Sequence, residues 1–587
     1  MRPLRILLLA HSFNSLTQRL FVELRALGHT VSLELDIADP VTEEAVTLFE
    51  PDLLIAPFLK RRIPESVWSR RVCLVVHPGI AGDRGPSALD WAVLRGEAQW
   101  GVTVLQANGE FDAGEVWATA SFTMRAATKA SLYRREVTRC AVAAVIEALS
   151  RFVPGQPSPA ARPALPAHPG RWQPLMQQSD RAVDVATDDS ATVLRKIRAA
   201  DGFPGVADAL FGLPCHLFDA HAASAAALSA APPGPPGSVV ARRGPALLRR
   251  TVGGGVWIGH VRRAGPDART PALKLAATLA FEAEAAALPE LEVPLMRDAH
   301  DEWDELHYRE FGAGGARVGW LEFDFHNGAM STRQCLRLRH ALRFARGRDT
   351  RVLVLVGGAD FFCNGIHLHD IEAAAHRPGD SAADASWRNI NAIDDVALDL
   401  LTLTDRITVA ALRGNAGAGG CFLALAADQV WAHDGVVLNP HYKNMGNLYG
   451  SEYWTYLLPR RVGEAGAMAI TQGRLPLSAR QANALGLIDE LLAADTTAFE
   501  LQVEAHAAAL AAAPDIAARL ATKQQRRQAD EAMKPLAAYR EEELQRMQRN
   551  FFGFDPSYHV ARHHFVYRKP QAWTPRHLAL HRDRAER

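Results

Sequence analysis

Gly414–Gly463, GNAGAGGCFLALAADQVWAHDGVVLNPHYKNMGNLYGSEYWTYLLPRRVG, decides how the second half of this 587-residue chain is read. It opens on a glycine cluster, and an apolar, alanine-rich run from Cys421 to Asp428 follows that reads as a buried helix. A short strand-like segment, a polar loop and an aromatic helix carrying an acid complete it. Gly417, Gly419 and Gly420 let the backbone approach a ligand closely, because no Cβ intervenes. A helix starting there aims free N–H groups and the positive end of its dipole at whatever is bound. Such N–H groups polarise a carbonyl. The loop beyond carries Tyr442 and Glu452, an acid/base pair in position to act. The same glycines also serve tight packing, and the same two side chains also suit a plain surface, so the stretch alone leaves both readings open.

Working outward, the length calls for three or four domains. Hydrophobic residues make up 48% and charged residues 22%, as in soluble globular proteins. Lys+Arg and Asp+Glu both count 65, which argues against a nucleic-acid binder acting through bulk charge. The cysteines at 73, 140, 215, 335, 363 and 421 form no C-x-x-C pair and read as buried thiols of a reducing compartment, with no metal site. The N-terminal MRPLRILLLAHSF is too short an apolar run to span a membrane and lacks a small-residue cleavage site. It reads as a first strand of a cytoplasmic protein without membrane contact.

Arg5 to Ala10 is nearly all apolar, as a buried parallel strand should be. A helix-spaced run from Asn14 to Leu27 follows, with further strands at His29 to Leu35, Leu53 to Ala56 and Val72 to Val76. Alternating strands and helices predict a doubly wound α/β domain with its ligand at the carboxyl ends of the strands. His77 sits at such an end, opening HPGIAGDRGPSALDWA, and Asp112 lies in the turn EFDAGEV after the strand GVTVLQA. Together they can share proton work on a carbonyl substrate, though each alone is more often structural. The order strand–His–Pro, RGP, Trp, GVT, LQ and DAGE resembles the 10-formyltetrahydrofolate formyltransferase/hydrolase family. The resemblance implies that His77 and Asp112 are the catalytic pair for moving a formyl group. The family Asn falls on Val75, which cannot hold the formyl oxygen by hydrogen bonding. Arg19, in HSFNSLTQR, and Arg134 or Arg135 are candidates for the folate glutamate tail or another anion, with a solvated helix face as the alternative. Arg84, in the RGP segment, is a further candidate contact to the cofactor.

The resemblance continues past a Pro/Ala-rich linker, 154–170, which follows the N-terminal domain, 1–153. Residues 171–273 resemble the family's second domain, a small OB-like β-barrel with a positioning role. Leu275 to Leu288 is helical in pattern, and 274–310 reads as a helical connector without a site.

From 311 to 500, strand–turn–helix units repeat: Val318 to Phe325, Ser331 to Arg346, Val352 to Val356, then GGADFFCNGIHLHDI and the opening stretch. This order resembles the enoyl-CoA hydratase/isomerase (crotonase) superfamily. What it implies is a coenzyme A thioester site whose oxyanion hole is the backbone N–H groups of Ile366 and Gly419. The two hydratase acids are replaced by Phe422 and His441, so hydration of an enoyl-CoA is not expected. Tyr442 and Glu452 stand in their place. Among Tyr449, Tyr453 and Trp454, Glu452 should have a raised pKa. A helical extension, 501–587, turns basic and aromatic; His559, His563 and His564 there suit solvent or a partner better than a metal. Arg568 or Lys569 could meet the phosphates of coenzyme A.

A formyltransferase half fused to a crotonase half, with NPHYKNMGNLYGSEYWTY in the second, resembles over nearly its full length a family of nickel–iron hydrogenase maturation proteins. That resemblance implies formyl transfer from 10-formyltetrahydrofolate to coenzyme A and then decarbonylation of formyl-CoA, with Tyr442 and Glu452 as the decarbonylation pair. The carbon monoxide would become a ligand of the hydrogenase iron, and hydrogenase maturation proteins are the implied partners. Two alternatives stand beside it: a fusion acting on another acyl-CoA, and a non-catalytic maturation scaffold, which should bind neither folate nor coenzyme A.

Overall fold

The computed structural model describes residues 2–156, 170–263, 271–297, 302–493 and 495–583. The chain forms two compact units, Met1–Arg263 with Ala276–Pro289 and Pro570–Arg587, and Ala264–Leu275 with Glu290–Lys569. Most of the expected linker therefore lies outside the described residues.

The first unit begins with a sheet of β1 (Arg5–Ala10), β2 (Thr30–Leu35), β3 (Leu53–Phe58), β4 (Cys73–His77), β5 (Gln99–Gln106) and β6 (Val116–Thr123), in the order β2-β1-β3-β4-β5-β6. The first four are parallel, and β5 and β6 add antiparallel. Ile6 to Ala10 are all buried, which explains the unbroken apolar run of β1. His77 is the last residue of β4, at the carboxyl end of a central strand. Where an OB-like barrel is expected, five strands run antiparallel: β7 (Val206–Leu210), β8 (Leu213–Ala222), β9 (Val239–Arg243), β10 (Ala246–Thr251) and β11 (Gly254–Arg263), in the order β7-β8-β11-β10-β9. The helix Ser190–Ala199 closes their core with Val193, Leu194 and Ile197. Leu275 to Leu288 is not one helix. After a short strand β12 (Leu273–Ala276), two short helices, Ala277–Ala280 and Glu282–Ala286, are broken at Phe281, whose non-helical backbone sinks its ring into that same core.

The edge strand β2 is covered by the end of the chain. Leu33 N–H donates to the Leu578 carbonyl at 2.9 Å, and Leu35 N–H donates to Thr574 Oγ1 at 2.8 Å. Between them Glu34 is fully buried and takes His581 Nε2 at 2.8 Å and Arg582 Nη2 at 2.7 Å, with Thr574 hydroxyl as a further donor. Ser32 Oγ meets the other ring nitrogen of His581 at 2.7 Å.

The second unit has two sheets. The larger holds β13 (Leu306–Phe311), β14 (Val318–Phe323), β15 (Val352–Gly357), β17 (Ile407–Leu412), β19 (Gln429–His433) and β22 (Glu490–Leu492), in that order and parallel except at β13. The smaller holds β16 (Phe361–Cys363), β18 (Asn415–Gly417), β20 (Val437–Asn439) and β21 (Leu477–Ser478). Strands β15, β17 and β19 each hand the chain to a short one, β16, β18 and β20, and after β16 and β18 a helix follows, Leu368–Ala374 and Gly419–Leu425. This is the coiled β-β-α pattern expected. Strand β13 lies within the stretch expected as connector, because its alternating apolar residues complete the sheet edge against β14. The expected helix from Ser331 runs Thr332–Arg346, with Ser331 and Gln334 forming a capping box. Helices Thr496–Ala511, Ile516–Met533, Leu536–Phe552 and Ser557–Val566 form the C-terminal region. No helix among the described residues is long and apolar enough to cross a membrane. All six cysteines are buried and unpaired.

Burial alone would raise the Glu34 carboxyl, but hydrogen bonds from His581, Thr574 and Arg582 outweigh it and hold it below its ordinary value. A carboxyl lowered in the folded chain stabilises at pH above the ordinary glutamate range, and that stabilisation is lost as pH falls through the folded value. Acidification should therefore release residues 574–582 before the sheet itself opens, seen as faster hydrogen exchange at Leu33 and Leu35. Replacing Glu34 by Ala strands His581 in a buried space, leaves Arg582 with Glu44 alone, and should cost about 3 kcal/mol at neutral pH. Unchanged exchange at both amides would refute the role given to Glu34.

Candidate active sites

In the first unit, His77 lies between two carboxylates. Its Nε2 is 3.1 Å from Asp83 Oδ2 and its Nδ1 is 3.6 Å from Asp112 Oδ1. The expected pair of His77 and Asp112 is therefore brought together, and Asp83, buried and inside the quoted HPGIAGDRGP segment, is a third member that pattern reading missed. Asp112 adopts left-handed backbone at φ 51° and is held by Gly85 N–H, which donates to its Oδ2 at 3.0 Å. Gly85 is required there, since its φ is +107° and a Cβ would stand 2.1 Å from the Gln173 carbonyl oxygen. Gln173 in turn reaches Asp83 Oδ1 at 3.3 Å. Val75 is on the same face of β4 as His77, half-buried against an apolar cluster that includes Leu54 and Cys73.

The arginines suggested for cofactor contacts already have acidic neighbours. Arg19 pairs with Glu23 one turn along its helix at 2.8 Å, and Arg84 pairs with Glu110 at 3.0 Å on the surface. Arg134 is half-buried in the π-helical turn Tyr133–Val137. Burial raises the nearby Asp201 carboxyl, and the charges of Lys129 and Arg134 oppose that rise.

In the second unit, Tyr442 Oη is 2.5 Å from Glu452 Oε2 and 2.8 Å from the Ser451 carbonyl oxygen. Both side chains are buried. Glycines shape their seats. A Cβ on Gly419 would stand 2.1 Å from Glu452 Oε1, and one on Gly450 would stand 2.0 Å from the Tyr442 ring. Gly419 opens its helix, so its N–H has no carbonyl one turn back. A Cβ on Gly365 would lie 3.4 Å from Gly419 N, which makes the Ile366 peptide a neighbour of that N–H. The two residues expected to supply oxyanion donors are thus near each other, with Gly419 beside the Glu452 carboxyl. Phe422, at a hydratase acid position, stacks on Tyr442 with ring centres 5.3 Å apart, and His441, at the other, is buried.

Glu452 and Tyr453 both adopt left-handed backbone, at φ 58° and 59°. Such residues cost of order 1–3 kcal/mol each and persist only where the surroundings over-determine them. Here Asp394 Oδ1 accepts Glu452 N–H at 2.8 Å and Glu543 Oε2 accepts Tyr453 N–H at 2.9 Å. Asp394 Oδ2 also accepts the Ser451 hydroxyl at 2.7 Å, and Glu543 Oε1 accepts Thr455 N–H at 2.8 Å. Burial, and then the charge of Asp394, pushes Glu452 well above its ordinary value, while burial pushes Tyr442 well above its own. Glu543 is pushed up to about 8, chiefly by burial. Asp394 and Glu543 escaped sequence reading. The signal was available: each is an acid at the core-facing spacing of a helix, with Ile390, Ile393 and Ala397, and with Leu536, Met547 and Phe551.

Arg568 is exposed with φ 50°. Its charge adds to those of His367 and Lys274 in lowering His369, which burial above all brings down to about 3. Of the histidines in the tail, His559 Nε2 meets the Phe551 carbonyl at 2.9 Å, and His563 and His564 are exposed.

These two sites define a fusion of a formyl-transferring unit and a crotonase-like unit. The formyl transferase family matches residues 34–149, and the enoyl-CoA hydratase/isomerase family matches residues 324–575. Hydrogenase maturation factor HoxX of Bradyrhizobium diazoefficiens is 55% identical over 582 residues, covering 99% of this chain and 98% of that protein. The crystal structure of HypX from Aquifex aeolicus in complex with tetrahydrofolic acid is 43% identical with a TM-score of 0.91, covering 99% of both chains. A methionyl-tRNA formyltransferase of Variovorax paradoxus is 27% identical over 241 residues, 40% of this chain and 72% of that protein. The chain belongs to the HoxX/HypX family of hydrogenase maturation factors.

Gly419 has ordinary helical φ, so space alone forbids a side chain there. Gly419→Ala should displace Glu452 and lower stability by about 1–3 kcal/mol in denaturant unfolding. A variant as stable as the parent would place the carboxyl elsewhere.

Proposed function

We propose that this protein makes carbon monoxide for the hydrogenase active-site iron in two steps, formyl transfer from 10-formyltetrahydrofolate to coenzyme A and then decarbonylation of formyl-CoA. The observation that carries the reading is the buried 2.5 Å contact of Tyr442 and Glu452 beside Gly419, where a hydratase would have other acids. In the first step His77, steadied by Asp83 and Asp112, takes the thiol proton as sulfur bonds to the formyl carbon, and returns it to the folate nitrogen as the carbon–nitrogen bond breaks. The tetrahydrofolate bound to the Aquifex aeolicus relative supports the donor. Positive charge from Lys274 and Arg568 supports binding of coenzyme A phosphates.

In the second step the formyl oxygen lies toward Ile366 and Gly419 N–H groups. The formyl proton passes to Glu452 Oε1, the Glu452 hydroxyl proton passes to Tyr442 Oη, and the tyrosine hydroxyl swings from the Ser451 carbonyl to give its own proton to sulfur. The carbon–sulfur bond breaks, carbon monoxide leaves and coenzyme A is released as thiol; Glu452 is left with its proton on Oε1, and transfer of that proton back to Oε2 restores the starting state. A neutral acid can both give and take a proton in this way, which suits a carboxyl raised by its surroundings.

The test is incubation with 10-formyltetrahydrofolate and coenzyme A, with carbon monoxide trapped on reduced haemoglobin. Carbon monoxide should require both substrates. Glu452→Gln should lower its release about 10²-fold or more while formyl-CoA accumulates, and His77→Asn should stop formyl-CoA from forming while supplied formyl-CoA is still split. Formyl-CoA without carbon monoxide in the parent protein would overturn the second step, and binding of neither substrate would favour a scaffold.

A further inference from the structure

Tyr442 has one hydroxyl proton and two oxygen neighbours, the Ser451 carbonyl at 2.8 Å and Glu452 Oε2 at 2.5 Å. A carbonyl oxygen only accepts. If Glu452 were ionised it too would only accept, and one of the two short contacts would join two acceptors. Both contacts are hydrogen bonds if Glu452 carries a proton and donates it to Tyr442 Oη while Tyr442 donates to the Ser451 carbonyl. Asp394 has the opposite surroundings. Its oxygens accept Glu452 N–H and the Ser451 hydroxyl, and Arg540 Nε lies 3.8 Å away, so it is the ionised partner.

We infer that Asp394 is the positioning residue of this pair: its carboxylate fixes the turn at Ser451 and Glu452, and its charge keeps the proton on Glu452 and so turns the Tyr442 hydroxyl toward the Ser451 carbonyl. One residue thereby sets both where the acid stands and which way its proton chain points. Of the other groups facing Glu452, only Glu543 adds to the rise through its charge, and none of them holds the turn at Ser451 and Glu452. From the helix Leu536–Phe552 come Glu543, occupied with Tyr453 and Thr455, and Arg540, shared with Asp395 at 2.7 Å. Cys335 and Cys363 also lie within electrostatic reach of Glu452, thiols that burial raises and so keeps neutral. Burial raises Asp394 itself, but the Ser451 hydroxyl, the Arg540 charge and Glu452 N–H all favour its ionised form. The purpose of the held proton rests on the proposed decarbonylation; its presence does not, and is measured without substrate.

The experiment is infrared difference spectroscopy of the full-length protein, following the carbonyl stretch of protonated carboxyl groups across pH. At neutral pH the parent should show a band that Glu452→Gln removes. Asp394→Asn keeps an acceptor for Glu452 N–H but removes the charge, and should lower the pH at which that band is lost by about one unit or more. Ser451→Ala removes one contact to Asp394 but leaves its charge and should leave the titration in place. Titration of Asp394→Asn at the parent pH would overturn the inference. So would a neutral-pH spectrum that Glu452→Gln leaves unchanged, which holds even if Asp394→Asn does not fold. The band with no carbon monoxide from the parent protein would sink the reaction and keep Asp394 in its role; carbon monoxide without the band would do the reverse.

Discussion

Two consecutive left-handed residues, Glu452 and Tyr453, are held by two buried carboxyl groups that accept their N–H groups, Asp394 and Glu543. The rest of the second unit is fitted around that constraint. Gly419 leaves room for the Glu452 carboxyl and Gly450 leaves room for the Tyr442 ring. Phe422 fills the space over Tyr442 with an aromatic face, where a second acid would bring another charge. A backbone that would relax if left to itself is instead fixed from two separate helices, Ala382–Leu401 and Leu536–Phe552. The position of the acid thus depends on helices far apart in sequence, one of them in the C-terminal region.

The first unit solves a related problem with different parts. There the proposed proton carrier is an imidazole at a strand end, and the carboxyl groups beside it come from the loop that follows and from a left-handed turn, Asp83 and Asp112. Glycine again clears the way, at Gly79 against the His77 ring and at Gly85 beside Gln173. In both units the chemistry-bearing group is placed by strand and helix termini, and the glycines mark where side chains must be absent.

The periodicity of the strands and helices made the architecture legible, because β1, β3, β4 and β15 are buried on both faces and read as apolar runs. The pairs His77 with Asp112 and Tyr442 with Glu452 were legible through their motif context. The residues that support them were not. Asp394 and Glu543 are single acids on core-facing helix positions, with no motif around them, and their partners lie 58 and 90 residues away. Phe281 broke an alanine-rich helix for the sake of a core formed by distant strands, a tertiary demand that local propensity does not carry. Glu34 looked like one polar residue in a strand; its partners come from the other end of the chain.

That last pairing sets an order of events during synthesis. Leu35 waits for a partner 539 residues downstream, so strand β2 leaves the ribosome with an open edge and a carboxylate facing no counter-charge. The sheet that holds β2 is finished only once residues 574–582 have followed it. A chain that stops short of Thr574 would carry that uncovered edge, exposed to pairing with its neighbours and to proteases, and would be marked for removal by its own N-terminal sheet.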